Sequence, residues 1–132
     1  MDRDKLVELY KLYKLEKQDV YKHQHYVIIT RQGIEKIQAY ENIKINFEII
    51  KCEPNFAVIK AYAKREFVKD TITIETFGSA LKGVNYKDGN CNSWYVAEMA
   101  EKRALSRAVL KLTGFYELGV FGEDESDDFK KK

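Results

Sequence analysis

The chain has 132 residues, of which 45% are hydrophobic and 33% charged. That is the size and balance of one globular domain with a single core. No apolar run approaches the roughly 18–20 residues that cross a membrane, and no signal-peptide pattern opens the chain. Cys52 and Cys91 are the only cysteines and form no CxxC pair, which argues against a zinc site or disulfide framework and for a reducing, intracellular setting.

In chain order, Leu6, Leu9, Tyr10 and Tyr13 recur at spacings of three and four, which predicts an amphipathic helix from Asp4 to Glu16 with Asp4 as N-cap. Tyr26–Thr30 is rich in β-branched residues and reads as a strand or an extended entry. Thr30 then caps a short helix, Arg31–Tyr40, with Ile34 and Ile37 inward. His23 and His25 lie two apart, but no nearby ligand set completes a metal site. They read as surface or strand-entry residues.

Three strands follow. Ile43, Ile45, Phe47 and Ile49 alternate with Lys44, Asn46 and Glu48 at a period of two. Glu53-Pro54-Asn55 is a turn signal, and a second strand runs from Phe56 to Lys64. Thr71–Phe77 is the third, with Ile72 and Ile74 on one face. Short links favour an antiparallel meander. Residues 78–92, with three glycines and three asparagines, read as a flexible loop.

The longest helix is expected from Trp94 to Thr113, capped by Ser93 and ended by Gly114 at the C′ position. Leu105, Val109, Leu112 and Tyr116 form its core stripe. Ala97, Ala100, Ala104 and Ala108 allow a sheet or another helix to approach closely. Arg103, Arg107 and Lys111 stand one turn apart with Lys102 beside them, a basic ridge suited to a phosphate backbone. The other reading of that ridge is a solvated face paired to Glu98 and Glu101. Phe115–Phe121 is expected to pack back on the body.

Charge is distributed unevenly. Five of the six residues from Glu123 to Asp128 are acidic, whereas residues 1–116 carry 20 basic and 15 acidic side chains, a net of +5. The expected organisation is a single α+β domain over residues 1–122 and a disordered charged tail over 123–132. The tail reads as a competitor for a basic groove, as a partner-recruiting segment through Phe129, or as a solubilising end.

The run from Ser93 to Gly114, with Lys102-Arg103-Ala104-Leu105 at its centre, resembles the signature helix of phage single-strand annealing proteins in the Rad-fifty-two-like superfamily. The preceding meander and glycine-rich loop have the same order. The resemblance implies a sheet with the long helix across it, homo-oligomeric rings, ssDNA in a basic groove, and a place in recombination or replication within the cytoplasm of a phage-infected bacterium. By match, Lys102 and Arg103 fall on the family's basic pair, and Arg107 continues that face. For the acidic tail a solubilising end is the preferred reading; a replication or recombination protein is the partner expected if it recruits one.

Aromatic residues make up 13% of the chain, and those beside cations are candidate base-stacking platforms. Tyr62 lies near Lys60, Lys64 and Arg65 in sequence. Lys82, Tyr86 and Lys87 form a possible lip over a bound strand. The candidate DNA-binding residues are therefore Lys102, Arg103, Arg107, Lys111, Lys82, Lys87, Tyr86, Lys64 and Arg65.

Catalysis is not expected, nor any cofactor. No glutamate is followed two residues later by lysine, so the restriction-type nuclease motif is missing, and no G-x-x-x-x-G-K phosphate loop is present. The function expected is ATP-independent binding and annealing of single-stranded DNA. The rival is a protein-interaction or assembly module that binds no DNA.

Overall fold

The computed structural model describes residues 3–23, 26–67, 69–83, 89–91 and 94–124. The described residues form an α+β fold with three helices and two three-stranded sheets. His25, Tyr86, Lys87, Ser93 and the tail from residue 125, each read from the sequence above, lie outside the described residues.

Helix α1 (Arg3–Leu12) is shorter than its apolar spacing suggests and places Asp4 inside the first turn. Lys14, at φ 57°, turns the chain out of the helix. Strand β1 (Val20–His23), which lacks an alternating apolar pattern, pairs antiparallel with β2 (Tyr26–Ile29). Helix α2 (Arg31–Glu41) starts where its cap residue predicts. The Thr30 hydroxyl accepts from the Gly33 N–H at 3.2 Å, and Asn42 closes the helix in the left-handed region at φ 53°.

Asp19, fully buried, ties these pieces together. Its carboxylate accepts from the Glu16 N–H at 2.9 Å and from the Lys36 ammonium at 2.7 Å, and its carbonyl accepts from the Thr30 N–H. Burial pushes the Asp19 carboxyl up, but the Glu16 N–H and Lys36 together hold it below the usual carboxylate range. A depressed folded-state pKa stabilises above the unfolded value near ~3.9, and that contribution is lost as pH falls through the folded value. Asp19→Asn is therefore expected to lower stability by about 2 kcal/mol at pH 7. The urea midpoints of variant and parent should converge under strongly acidic conditions; a gap unchanged between pH 7 and pH 3 would contradict the ion pair.

The second sheet is the expected meander: β3 (Lys44–Glu53), β4 (Phe56–Glu66) and β5 (Thr71–Leu81), in that order. A bulge interrupts β3 between Ile49 and Lys51. One correction concerns Gly78, read from sequence as the start of a loop. It lies inside β5, opposite Ile59. Helix α3 (Val96–Thr113) crosses β4 and β5 and barely touches β3. The crossing is close because small residues meet: Ala57, Ala61 and Ala63 on β4, Ala80 on β5, and Ala100, Ala104 and Ala108 on α3 are all buried. A Cβ on Gly78 would stand 2.1 Å from the Ala100 carbonyl oxygen and 2.5 Å from the Ala104 nitrogen. Beside it the buried Thr76 hydroxyl donates to the Ala104 carbonyl at 2.7 Å.

Gly114, at φ 87°, ends α3 as expected. The chain then returns through a 3-10 turn to β6 (Val120–Gly122), which adds parallel to β2. Val109, Leu110 and Phe115 join Ile29, Ile34, Ile37 and Val120 in the main core.

Candidate nucleic-acid interface

The basic ridge of α3 lies open only in part. Arg103 is 3% exposed and donates to three backbone carbonyls: Asp124 at 2.8 Å, Ser79 at 2.8 Å and Asn90 at 2.6 Å. Arg107, half-buried, donates to the Phe77 carbonyl at 3.0 Å. Four helical residues advance about 6 Å, and two strand residues advance about 6.6 Å. The i, i+4 pair on α3 therefore matches the i, i+2 carbonyls on the free edge of β5. Both side chains reach carbonyls on a sheet edge, and the expectation of an exposed ridge is corrected at Arg103, while Arg107 stays half-exposed.

Arg65 is likewise engaged within the fold. It donates to the Leu112 carbonyl at 2.6 Å, pairs with the Glu41 carboxylate, and lies 4.6 Å from the centroid of the Phe67 ring. It thus closes the last turn of α3 onto the end of α2. Lys111 is exposed, with its ammonium 5.2 Å from the Tyr116 ring centroid. Lys102, half-exposed, lines a groove of about 230 Å³ between α2 and α3 with Arg31, Leu105 and Ser106. The acidic segment begins in that same groove, which corrects its expected disorder at the first two positions. Asp124 is buried, accepting from Arg31 at 3.1 Å and from the Ser106 hydroxyl at 3.2 Å, while Glu123 accepts from the Arg31 N–H.

The remaining candidates belong to the meander. Register places three rows on the sheet face away from α3: Glu48–Lys60–Phe77, Asn46–Tyr62–Glu75 and Lys44–Lys64–Thr73. The Lys60 ammonium lies 5.0 Å from the Tyr62 ring centroid and 5.5 Å from that of Phe77. It is ion-paired to Glu75 at 2.6 Å, and that hydrogen bond raises its pKa. Tyr62 donates to Glu48, and Lys64 pairs with Glu66 at 3.1 Å. A shallow pocket of about 510 Å³ opens among Lys44, Asn46, Tyr62 and Thr73.

At the far end of the sheet, Lys82 stands with its ammonium 5.0 Å from the Trp94 ring centroid. Trp94 and Tyr95 are 68% and 69% exposed. No family model, curated protein or solved structure matches this chain.

Sequence reasoning had set Tyr62 beside Lys60 and had named Lys82, but it treated Trp94 as the first residue of the long helix. The helix begins at Val96, which leaves both rings outside its buried stripe. The signal that could have found them is Ser93-Trp94-Tyr95 itself, since two large aromatics in a row cannot both face the core of a helix. Phe77 was missed because Gly78 drew it to the edge of the expected loop. Among the described residues no group of three His, Cys, Asp or Glu side chains could hold a metal ion, and no helix is long and apolar enough to cross a membrane.

Proposed function

We propose that this protein binds single-stranded DNA and anneals complementary strands without ATP, using the uncovered sheet face and the Lys82–Trp94 corner rather than the arginines of α3. One observation carries the reading: at Trp94, Tyr62 and Phe77 an exposed aromatic ring has a lysine ammonium 5.0–5.5 Å from its centroid. A ring offers a base a stacking surface irrespective of sequence, and the adjacent cation meets the phosphate that follows. Glu48 and Glu75 alternate with these lysines, which limits the net attraction and lets one strand be exchanged for another. The setting implied by the annealing-protein resemblance is phage recombination or replication in the bacterial cytoplasm, as a homo-oligomer.

Trp94 is the only tryptophan in the chain, so stacking is directly readable. Titration with a single-stranded oligonucleotide at low salt is expected to quench its fluorescence, and the matching duplex to do so far less. Trp94→Ala and Tyr62→Ala, followed by anisotropy of a labelled strand, should each weaken binding roughly tenfold, the loss of one stacking contact of ~1–3 kcal/mol. Binding that is absent at low salt, or untouched by both variants, would remove this reading.

The rival function, an assembly module without DNA binding, draws on a different surface. The helix side of β3 carries Phe47 and Ile49 at 38% and 66% exposure, and Ile50 at the bulge is 48% exposed.

A further inference from the structure

Exposed apolar side chains on an edge strand are usually avoided, because an unpaired row of N–H and C=O groups beside them invites another strand. The two edges of the meander are treated differently here. Along β5 the carbonyls of Phe77 and Ser79 are taken by Arg107 and Arg103. The Leu81 N–H donates to the Asn90 side chain, and the Leu81 carbonyl accepts from the N–H groups of Asn90 and Cys91. Only Thr71–Glu75 of that edge is left. Along β3, among the described residues, no strand pairs with the outer edge of Lys44–Glu53. Phe47 and Ile49 share a face with the buried Ala61 and Ile59, their partners on β4. That face is covered by α3 over β4 and β5, and by the main core at Ile45, and it ends exposed at Phe47 and Ile49 of β3.

We infer that β3 pairs antiparallel with β3 of a second copy of this chain, about a two-fold axis at Phe47, giving a dimer. A head-to-tail assembly would need β3 to add to β5, whose edge from Phe77 to Leu81 is closed. A β3–β3 contact is isologous, so it consumes the open edge on both copies and stops at two. The bulge after Ile49 limits the regular ladder to the stretch before it. Two even registers fit that stretch. One, centred on Asn46, sets Lys44 opposite Glu48 and Ile45 opposite Phe47 but leaves Ile49 without a partner in the strand; the other, centred on Phe47, sets Phe47 opposite itself and Ile45 opposite Ile49. The second wins, because exposed ion pairs contribute little and apolar area contributes more. It still places Lys44 diagonal to Glu48 of the second copy, about 7–8 Å away and within reach, and sets no two like charges directly opposite.

The inference stands apart from DNA binding and is tested without DNA, by sedimentation velocity across micromolar concentrations. The full chain should sediment at twice its 15.5-kDa mass. Ile49→Lys, at a position already two-thirds exposed, should leave the circular dichroism unchanged and weaken self-association at least tenfold. In a Cys52→Ser background, Phe47→Cys should form an intermolecular disulfide under mild oxidation and Ile49→Cys should not. A monomer at all concentrations, a species larger than two, a dimer indifferent to Ile49→Lys, or cross-linking at position 49 rather than 47 would each overturn it.

Discussion

Arg103→Ala is expected to lose about 3–5 kcal/mol of folding stability, a large part of the ~5–15 kcal/mol that a domain of this size has. Among the described residues, the guanidinium alone reaches the Ser79, Asn90 and Asp124 carbonyls together. Removing it takes the donor from the Asn90 and Asp124 carbonyls, each costing up to ~1–3 kcal/mol when buried unpaired and offset in part by water entering the space, while the Ser79 carbonyl keeps a longer contact, 3.4 Å, from the Asn90 side-chain amide. It also unties three segments at once: the β5 edge, the strand-to-helix connection and the C-terminal chain. Lysine should recover less than half of the loss, because a single ammonium cannot span three acceptors with the reach of a planar fork. Arg107→Ala, removing one half-exposed contact, should cost about 1 kcal/mol. Urea midpoints for the three variants test the ranking. An exposed ridge would give all three values within ~0.5 kcal/mol of the parent, and that outcome would refute the structural role. Weak DNA binding by Arg103→Ala, taken alone, would therefore report unfolding rather than a lost phosphate contact.

Gly78→Ala should be nearly as damaging, by about 3 kcal/mol or more. Replacing a strand glycine by alanine at an open position raises stability by ~0.4–1 kcal/mol through the unfolded chain. Here the sign reverses, because the added methyl meets the Ala100 carbonyl oxygen at 2.1 Å and the Ala104 nitrogen at 2.5 Å. Both are helix backbone and cannot rotate away. Helix α3 must lift from β5, which breaks the Thr76–Ala104 hydrogen bond and draws Arg103 and Arg107 off the strand carbonyls. Thermal melts should show a fall of roughly 10 °C or more. A melting temperature equal to or above the parent would mean that the helix does not sit on this glycine.

Gly78 and Arg103 mark where reading along the chain stops. Both sit in local contexts that signal something else: a glycine next to further glycines and asparagines resembles a loop, and an arginine one turn from another resembles a charged face. Neither context contains the partner. Gly78 is explained by residues 22 and 26 positions later, and Arg103 by residues on three separate segments. The same limit applies to β3. Its alternation correctly separated Phe47 and Ile49 from Asn46 and Glu48. Periodicity says which residues share a face, but not how far a crossing helix extends over it.

What the chain determined by itself is local. The period of two in β3, the turn at Pro54-Asn55, the Thr30 cap and the Gly114 stop are each set by the conformational preferences of a few adjacent residues. They suffice for an α+β meander with a long helix. Tertiary structure alone decided which cations are available to a ligand. A side chain long enough to reach the nearest unpaired carbonyl does so in preference to facing solvent when that carbonyl would otherwise be buried without a donor. On α3 that choice engaged Arg103 and Arg107 within the fold, and it left the rings of Trp94, Tyr62 and Phe77 exposed beside their lysines.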